Sequence, residues 1–280
     1  MMYQDFAQVY DELMEDVPYE KWADMLHELI LRYGITKPSV ICETDTEDST
    51  EEGKLASERN LVLDLCCGTG TVTELMAEKG YDLIGVDGSE EMLNQAVEKR
   101  DKSGHEILYL CQDMRELDLY STVGTIYCLY DSLNYLLIKE DMAKVFRLVA
   151  DFLYPEGLFI FDFNTVHKYG DILGDGVMAE DRGKLSFIWD NLYDPATCQN
   201  EAVLTVFRET EDENGLFRKI SEIHEQRGYS LAEILDLLAE AGLTVVKAFD
   251  LDTGEERPAE EDSERIFIVA RKCIPVNISR

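Results

Sequence analysis

Short runs of consecutive apolar residues alternate with stretches of helical spacing along most of the chain. Leu61–Leu65, Tyr81–Asp87, Ile107–Cys111, Thr125–Tyr130 and Leu158–Phe161 read as strands. Their apolar positions are continuous rather than alternating, as expected when both faces of a sheet are covered. Helical patterns lie between them. Thr71–Lys79 ends at Gly80, and Ser89 can cap a helix whose first turn holds Glu90 and Glu91. Met142, Val145, Phe146, Val149 and Phe152 mark another, broken by Tyr154-Pro155-Glu156-Gly157. Upstream, Trp22, Met25, Leu26, Leu29 and Ile30 put an apolar stripe on a helix over Tyr19–Tyr33.

The rhythm changes after the fifth strand. Leu185, Phe187, Trp189, Asn191 and Tyr193 alternate with more polar positions, and Ala202–Arg208 is rich in β-formers. Asn214-Gly215 is a hairpin signal before Leu216–Ile223, so an antiparallel insertion of about three strands is predicted. The α/β pattern resumes at Ser230-Leu231-Ala232-Glu233, a capping box, on a helix closing at Gly242. Val245–Leu251 and Arg265–Ala270 supply two more strands. The pattern predicts a doubly wound α/β fold with a seven-stranded, mostly parallel sheet and an antiparallel β cap. The expected divisions are an arm at 1–59, a core at 60–165 and 230–273, a cap at 166–229 and a tail at 274–280.

Charge narrows the partner. The 280 residues carry 26 Lys and Arg against 58 Asp and Glu, a net charge of −32. Such a chain repels nucleic-acid phosphates and anionic membrane surfaces. Much of the excess is local. Residues 43–58 hold seven acids and one lysine, and residues 250–264 hold eight acids and one arginine. The first stretch has the composition of a solvated, disordered insertion. No apolar run reaches membrane-spanning length, and the start of the chain does not look like a secretory signal. Seven cysteines without a C-x-x-C pattern fit reduced thiols in a cytoplasmic protein, without a metal site or disulfide framework.

The first strand ends in Asp64-Leu65-Cys66-Cys67-Gly68-Thr69-Gly70 and turns into a helix. Gly68 and Gly70 permit a tight turn and a close backbone approach to a ligand. Asp87 follows at the end of the second strand, placed to accept from ribose hydroxyls. A dinucleotide fingerprint needs a third glycine where Thr73 stands. A carboxylate at Asp64 suits a ligand carrying an ammonium group better than a pyrophosphate.

With these features the segment resembles the first motif of class I S-adenosylmethionine-dependent methyltransferases, with Cys66 where a glycine is usual. Gly85–Leu93 and Cys111–Met114 are similar to the second and third motifs. The resemblance implies that Asp87 binds the ribose, Met92 packs on the adenine, Asp113 accepts from the adenine amino group and Met114 offers its backbone. Leu129-Tyr130-Asp131 would sit next to the methyl donor. Phe6–Asp11 and Tyr19–Trp22 are similar to the opening of a bacterial group of small methyltransferases whose tyrosine-rich arm folds over the cofactor, which brings in Tyr10 and Trp22. The implied reaction is in-line methyl transfer from S-adenosyl-L-methionine to nitrogen or oxygen of a small molecule, an amine-bearing one in particular, by a monomer or homodimer. Tyr130, Asn134, Asp162 and His224 are the catalytic candidates. Three of them also have a plain structural reading: packing for Tyr130, capping for Asn134, a satisfied polar residue for His224. A nicotinamide-dependent oxidoreductase and a non-catalytic cofactor-sensing scaffold remain alternatives.

Overall fold

The computed structural model describes residues 6–39, 51–210, 215–252 and 254–273. Tyr3, Cys42, residues 43–50, Asn214 and the tail 274–280 therefore lie outside the described residues. The chain enters through α1 (Ala7–Leu13), α2 (Tyr19–Tyr33) and α3 (Glu51–Asn60). It then alternates through β1 (Leu61–Leu65), α4 (Thr71–Glu78), β2 (Asp82–Asp87), α5 (Glu90–Ser103), β3 (Ile107–Cys111), β4 (Val123–Cys128), α6 (Lys139–Phe152) and β5 (Leu153–Asn164). A second sheet follows, made of β6 (Val177–Asp181), β7 (Leu185–Asp194), β8 (Gln199–Glu209) and β9 (Phe217–Arg227). The chain closes with α7 (Leu231–Glu240), β10 (Leu243–Asp250), β11 (Arg257–Pro258) and β12 (Arg265–Lys272).

The main sheet runs β11-β10-β12-β5-β4-β1-β2-β3. The strands from β3 to β5 pair in parallel; β12 and β10 are antiparallel additions. Seven of these eight strands match the expected set, and the two-residue β11 is the extra one. The apolar runs fill both faces. Leu63, Leu65, Ile126, Phe159 and Phe161 pack against α6 and α7, while Val62, Leu83, Tyr127 and Ile160 pack against α2 and α4. β1 and β4 are neighbours although β2 and β3 separate them in sequence, so the strand order switches between them. In open α/β sheets ligands bind at the carboxyl ends beside such a switch.

Three expectations are corrected. The acidic insertion is not without order throughout: its second half is α3. Gly124 of β4 lets the end of this helix touch the sheet, because a Cβ there would stand 1.7 Å from the Arg59 carbonyl oxygen and 2.4 Å from Thr36 Oγ1. Thr36 Oγ1 in turn donates to that carbonyl over 3.1 Å. Gly124→Ala is expected to cost about 1–3 kcal/mol, the usual range for overpacking. A calorimetric melt should read this as a fall of several degrees in Tm. The second sheet has four strands rather than about three, since β6 joins β7. β5 begins at Leu153 rather than Leu158 and takes in Tyr154–Gly157, the stretch that ends α6 as expected.

The N-terminal arm is fastened to both sheets. Phe6, Ala7 and Val9 of the arm share one apolar cluster with Met92 and with Leu185, Leu204, Val206 and Ile220 of the cap. Glu12 pairs with Arg208 at 2.5 Å. No helix among the described residues is long and apolar enough to cross a membrane.

Candidate functional site

The carboxyl ends of β1, β2, β3 and β4 border a cavity of about 700 Å³. Its wall includes Tyr10, Asp64, Cys66, Gly68, Asp87, Met92, Asp113, Met114 and Tyr130, nine residues singled out from the sequence. Local backbone chemistry builds this wall. After β1 the chain turns through Cys66 (φ +64°), Gly68 (φ +55°) and Gly70 (φ +74°), all left-handed. Nothing lies within 4 Å of a Cβ added at Gly68, so its backbone borders open space. Gly70 is not on the wall. It is required behind it, where a Cβ would meet Tyr109 Oη at 2.5 Å.

Asp87 fixes the turn. Its Oδ2 accepts from the Gly68 N–H and its Oδ1 from the Ser89 N–H, both over 2.8 Å. Burial raises its pKa, and those backbone donors oppose the rise. Asp64 is buried at the end of β1, where Thr73 Oγ1 donates to its Oδ2 over 2.6 Å. Thr73 thus occupies the third-glycine position with a purpose: it holds the carboxyl. Burial pushes the Asp64 pKa up to about 7, with Thr73 and nearby Tyr127 working against the rise. Among the described residues no cation pairs with Asp64. Asp113 is held below the usual carboxylate range, chiefly by its hydrogen bonds from Arg115.

Other predicted residues stand behind the wall. Trp22 stacks on Tyr130, with ring centroids 4.2 Å apart and planes 15° from parallel. The Asp131 carboxylate accepts from Arg265 Nη2 over 2.9 Å and from Gln226 Nε2 over 2.7 Å. Asn134 and Asp162, two of the catalytic candidates, are not on the cavity wall. Asn134 Nδ2 donates to the carbonyls of Asn164 and Arg227, and its Oδ1 accepts from the Asn164 N–H. Its capacity is spent stapling β5 to β9. Asp162 is fully buried, and its Oδ2 accepts from Arg265 Nη1 over 2.7 Å and from the Asp131 N–H over 3.0 Å. His224 is one residue removed from the cavity. Its Nδ1 lies 2.8 Å from the hydroxyl of Tyr135, which is on the wall.

Sequence reasoning missed Arg265 and the latch on the glycine turn. Lys99 Nζ donates to Thr69 and Thr71 and pairs with Asp11 of α1 at 2.7 Å. Thr69 Oγ1 also donates to Asp11 over 2.6 Å. No local pattern joins three segments so far apart in sequence.

The wall fits S-adenosylmethionine. Asp87 retains acceptor capacity for hydroxyls after receiving two backbone N–H groups. The open space over Gly68 admits a ligand against backbone, and the Asp64 carboxyl, bonded to Thr73 but paired with no cation among the described residues, matches an ammonium group. A model of the methyltransferase domain family matches residues 62–157. The methyltransferase-named protein YqeM of Bacillus subtilis is 32% identical over 276 residues, covering 97% of this chain and 98% of its own. A glycine/sarcosine N-methyltransferase of Halorhodospira halochloris is 34% identical over 117 residues, 41% of this chain and 42% of that one. The crystal structure of an S-adenosylmethionine-dependent methyltransferase from Clostridium acetobutylicum superposes with a TM-score of 0.79 at 27% identity, over 97% of this chain and 99% of that one. Similarity of this extent sets aside the oxidoreductase and the non-catalytic scaffold: the chain belongs to the class I S-adenosylmethionine-dependent methyltransferases, and S-adenosylmethionine is its cofactor.

Proposed function

We propose that this enzyme methylates the nitrogen of a small-molecule amine. The observation that carries the reading is the set of groups on the cavity wall beyond those given to the cofactor: Tyr19, Tyr135 and Glu225. Tyrosines with a carboxylate suit a cationic head group. The cationic side chain on the wall, Arg115, is already bonded to Asp113 and Asp141. The net charge of −32 disfavours a nucleic-acid acceptor. The Halorhodospira relative, named for amine acceptors, supports the same direction.

In this reading residues 60–165 and 230–273 bind the cofactor, the described part of the arm folds over it, and the described part of the cap (166–229) encloses the acceptor. Asp87 takes the ribose hydroxyls, Met92 packs on the adenine, Asp113 accepts from the adenine amino group with Met114 offering its backbone, and Asp64 faces the ammonium group. The bound cofactor supplies a methyl group activated on a sulfonium, so the chain's own work is alignment and proton removal. An amine reaches the site as an ammonium ion and needs a free lone pair to react. Tyr135 Oη can take one of its protons while passing its own to Nδ1 of His224. Burial lowers the His224 pKa, with Asp131 partly opposing, so the imidazole is neutral and able to accept at neutral pH. Tyr135→Phe is expected to slow turnover about 100-fold, the low end for general-base catalysis. Calorimetry should show S-adenosylmethionine affinity within about twofold of the parent, as expected for a group that acts on the acceptor.

The reading is tested by incubating the enzyme with methyl-labelled S-adenosylmethionine and a fractionated cell extract. Mass spectrometry should find the label on a low-molecular-weight amine. Label confined to the protein or nucleic-acid fraction would overturn it.

A further inference from the structure

We propose that Arg265 is a positioning residue that clamps the Tyr130–Asp131 turn into the shape the cofactor site requires. The turn follows β4, and both residues are left-handed, at φ +62° and +47°. For non-glycine residues that conformation costs roughly 1–2 kcal/mol each, so something must hold it. Arg265 stands on β12, an antiparallel strand outside the cavity wall. Its Nη2 donates to Asp131 over 2.9 Å and its Nη1 to Asp162 over 2.7 Å. Asp162 closes the loop by accepting from the Asp131 backbone N–H over 3.0 Å.

The same guanidinium lies 5.8 Å from the Tyr130 ring centroid and 5.7 Å from that of Trp22. Trp22 stacks on Tyr130 from behind. One cation therefore fixes the turn through two carboxylates and supports the ring that lines the cavity. Asp131 and Asp162 are thereby engaged as the two anions of the clamp. A planar fork with two usable edges is needed to reach both carboxylates, which lysine cannot supply.

The inference rests on Tyr130 being part of the cofactor wall, and it is tested without any acceptor. Trp189→Phe leaves Trp22 as the one tryptophan of the two in the chain. In that background, Arg265→Lys is expected to melt within a few degrees of the parent. Its Trp22 emission should shift as the stack loosens. S-adenosylhomocysteine affinity, by calorimetry, should fall about tenfold, the scale of one lost charge-assisted hydrogen bond. Asp131→Gly relieves the strain at one left-handed residue and removes one anion. Adding Arg265→Lys to it should change affinity by less than about twofold, because interacting sites are non-additive. An equal penalty in both backgrounds, or a large loss of Tm with parental affinity and emission in the folded protein, would overturn the clamp. Asp87→Ala is the control: if it too binds S-adenosylhomocysteine normally, the error lies in the site assignment and not in Arg265.

Discussion

Asp87→Ala should lose S-adenosylmethionine affinity by roughly 10²–10³-fold, the effect of removing about 3–4 kcal/mol of hydrogen bonding. The size follows from the double duty of this carboxylate. Both of its oxygens already hold backbone N–H groups, Gly68 from the glycine turn and Ser89 from the cap of α5. An ionised carboxylate has about four acceptor sites, so it can hold these and still receive ribose hydroxyls. Alanine strands two N–H donors and deletes the ribose contact at once. Asparagine should be nearly as damaging. Its amide has one accepting atom, and its NH₂ would face either the Gly68 or the Ser89 donor. Calorimetric titration with S-adenosylmethionine checks the loss, with a thermal melt to verify folding. Parental affinity in either variant would remove Asp87 from the site.

The contrast between Asp87 and Arg265 shows which parts of the site can be read from sequence. Asp87, Gly68 and Asp64 sit at strand ends and in one turn, so strand pattern and spacing locate them. Arg265 meets Asp131 across 134 positions, and nothing in the local pattern of β12 distinguishes it. The same logic holds for the fold. Strands of the main sheet are legible because burial on both faces forces continuous apolar runs. All five residues of β6 are exposed, so no face selects a pattern there, and the strand is invisible until β7 pairs with it. The helix α3 is hidden for a related reason. It has almost no apolar face and docks through backbone contact at Gly124 and through Glu58, which accepts from Thr122 over 2.7 Å. Thr73 carries the subtler lesson. Its identity argues against a dinucleotide site by lacking a glycine, and only the geometry supplies the positive reason, a hydroxyl aimed at Asp64.

That hydroxyl leads to the second large effect, a pH dependence of cofactor binding. Asp64 titrates near pH 7 in the ligand-free protein because it is buried without a cation. A bound ammonium group stabilises the carboxylate and lowers that pKa. Below pH 7 the site must therefore release a proton as the cofactor binds, and affinity should fall by up to about tenfold per pH unit, roughly 50-fold between pH 7 and pH 5. From pH 7 upward the carboxylate becomes fully formed, and affinity should level off until the cofactor's own α-amino group, with an ordinary pKa of about 7.7–8.0, begins to lose its proton. Stability of the ligand-free protein runs the other way. The folded pKa lies above the unfolded value, so the protonated form favours folding below about pH 4, and this contribution is lost as pH rises toward 7. Asp64→Asn should abolish both trends: its affinity should be low and independent of pH below 7, and its Tm relative to the parent should improve from pH 5 to pH 8. Calorimetry at pH 6 in two buffers of different ionisation enthalpy counts the proton directly. A count near one in the parent and near zero in Asp64→Asn is expected. A count of zero in the parent would mean that the ammonium group does not meet Asp64, and that the carboxyl serves only to tie β1 to α4 through Thr73.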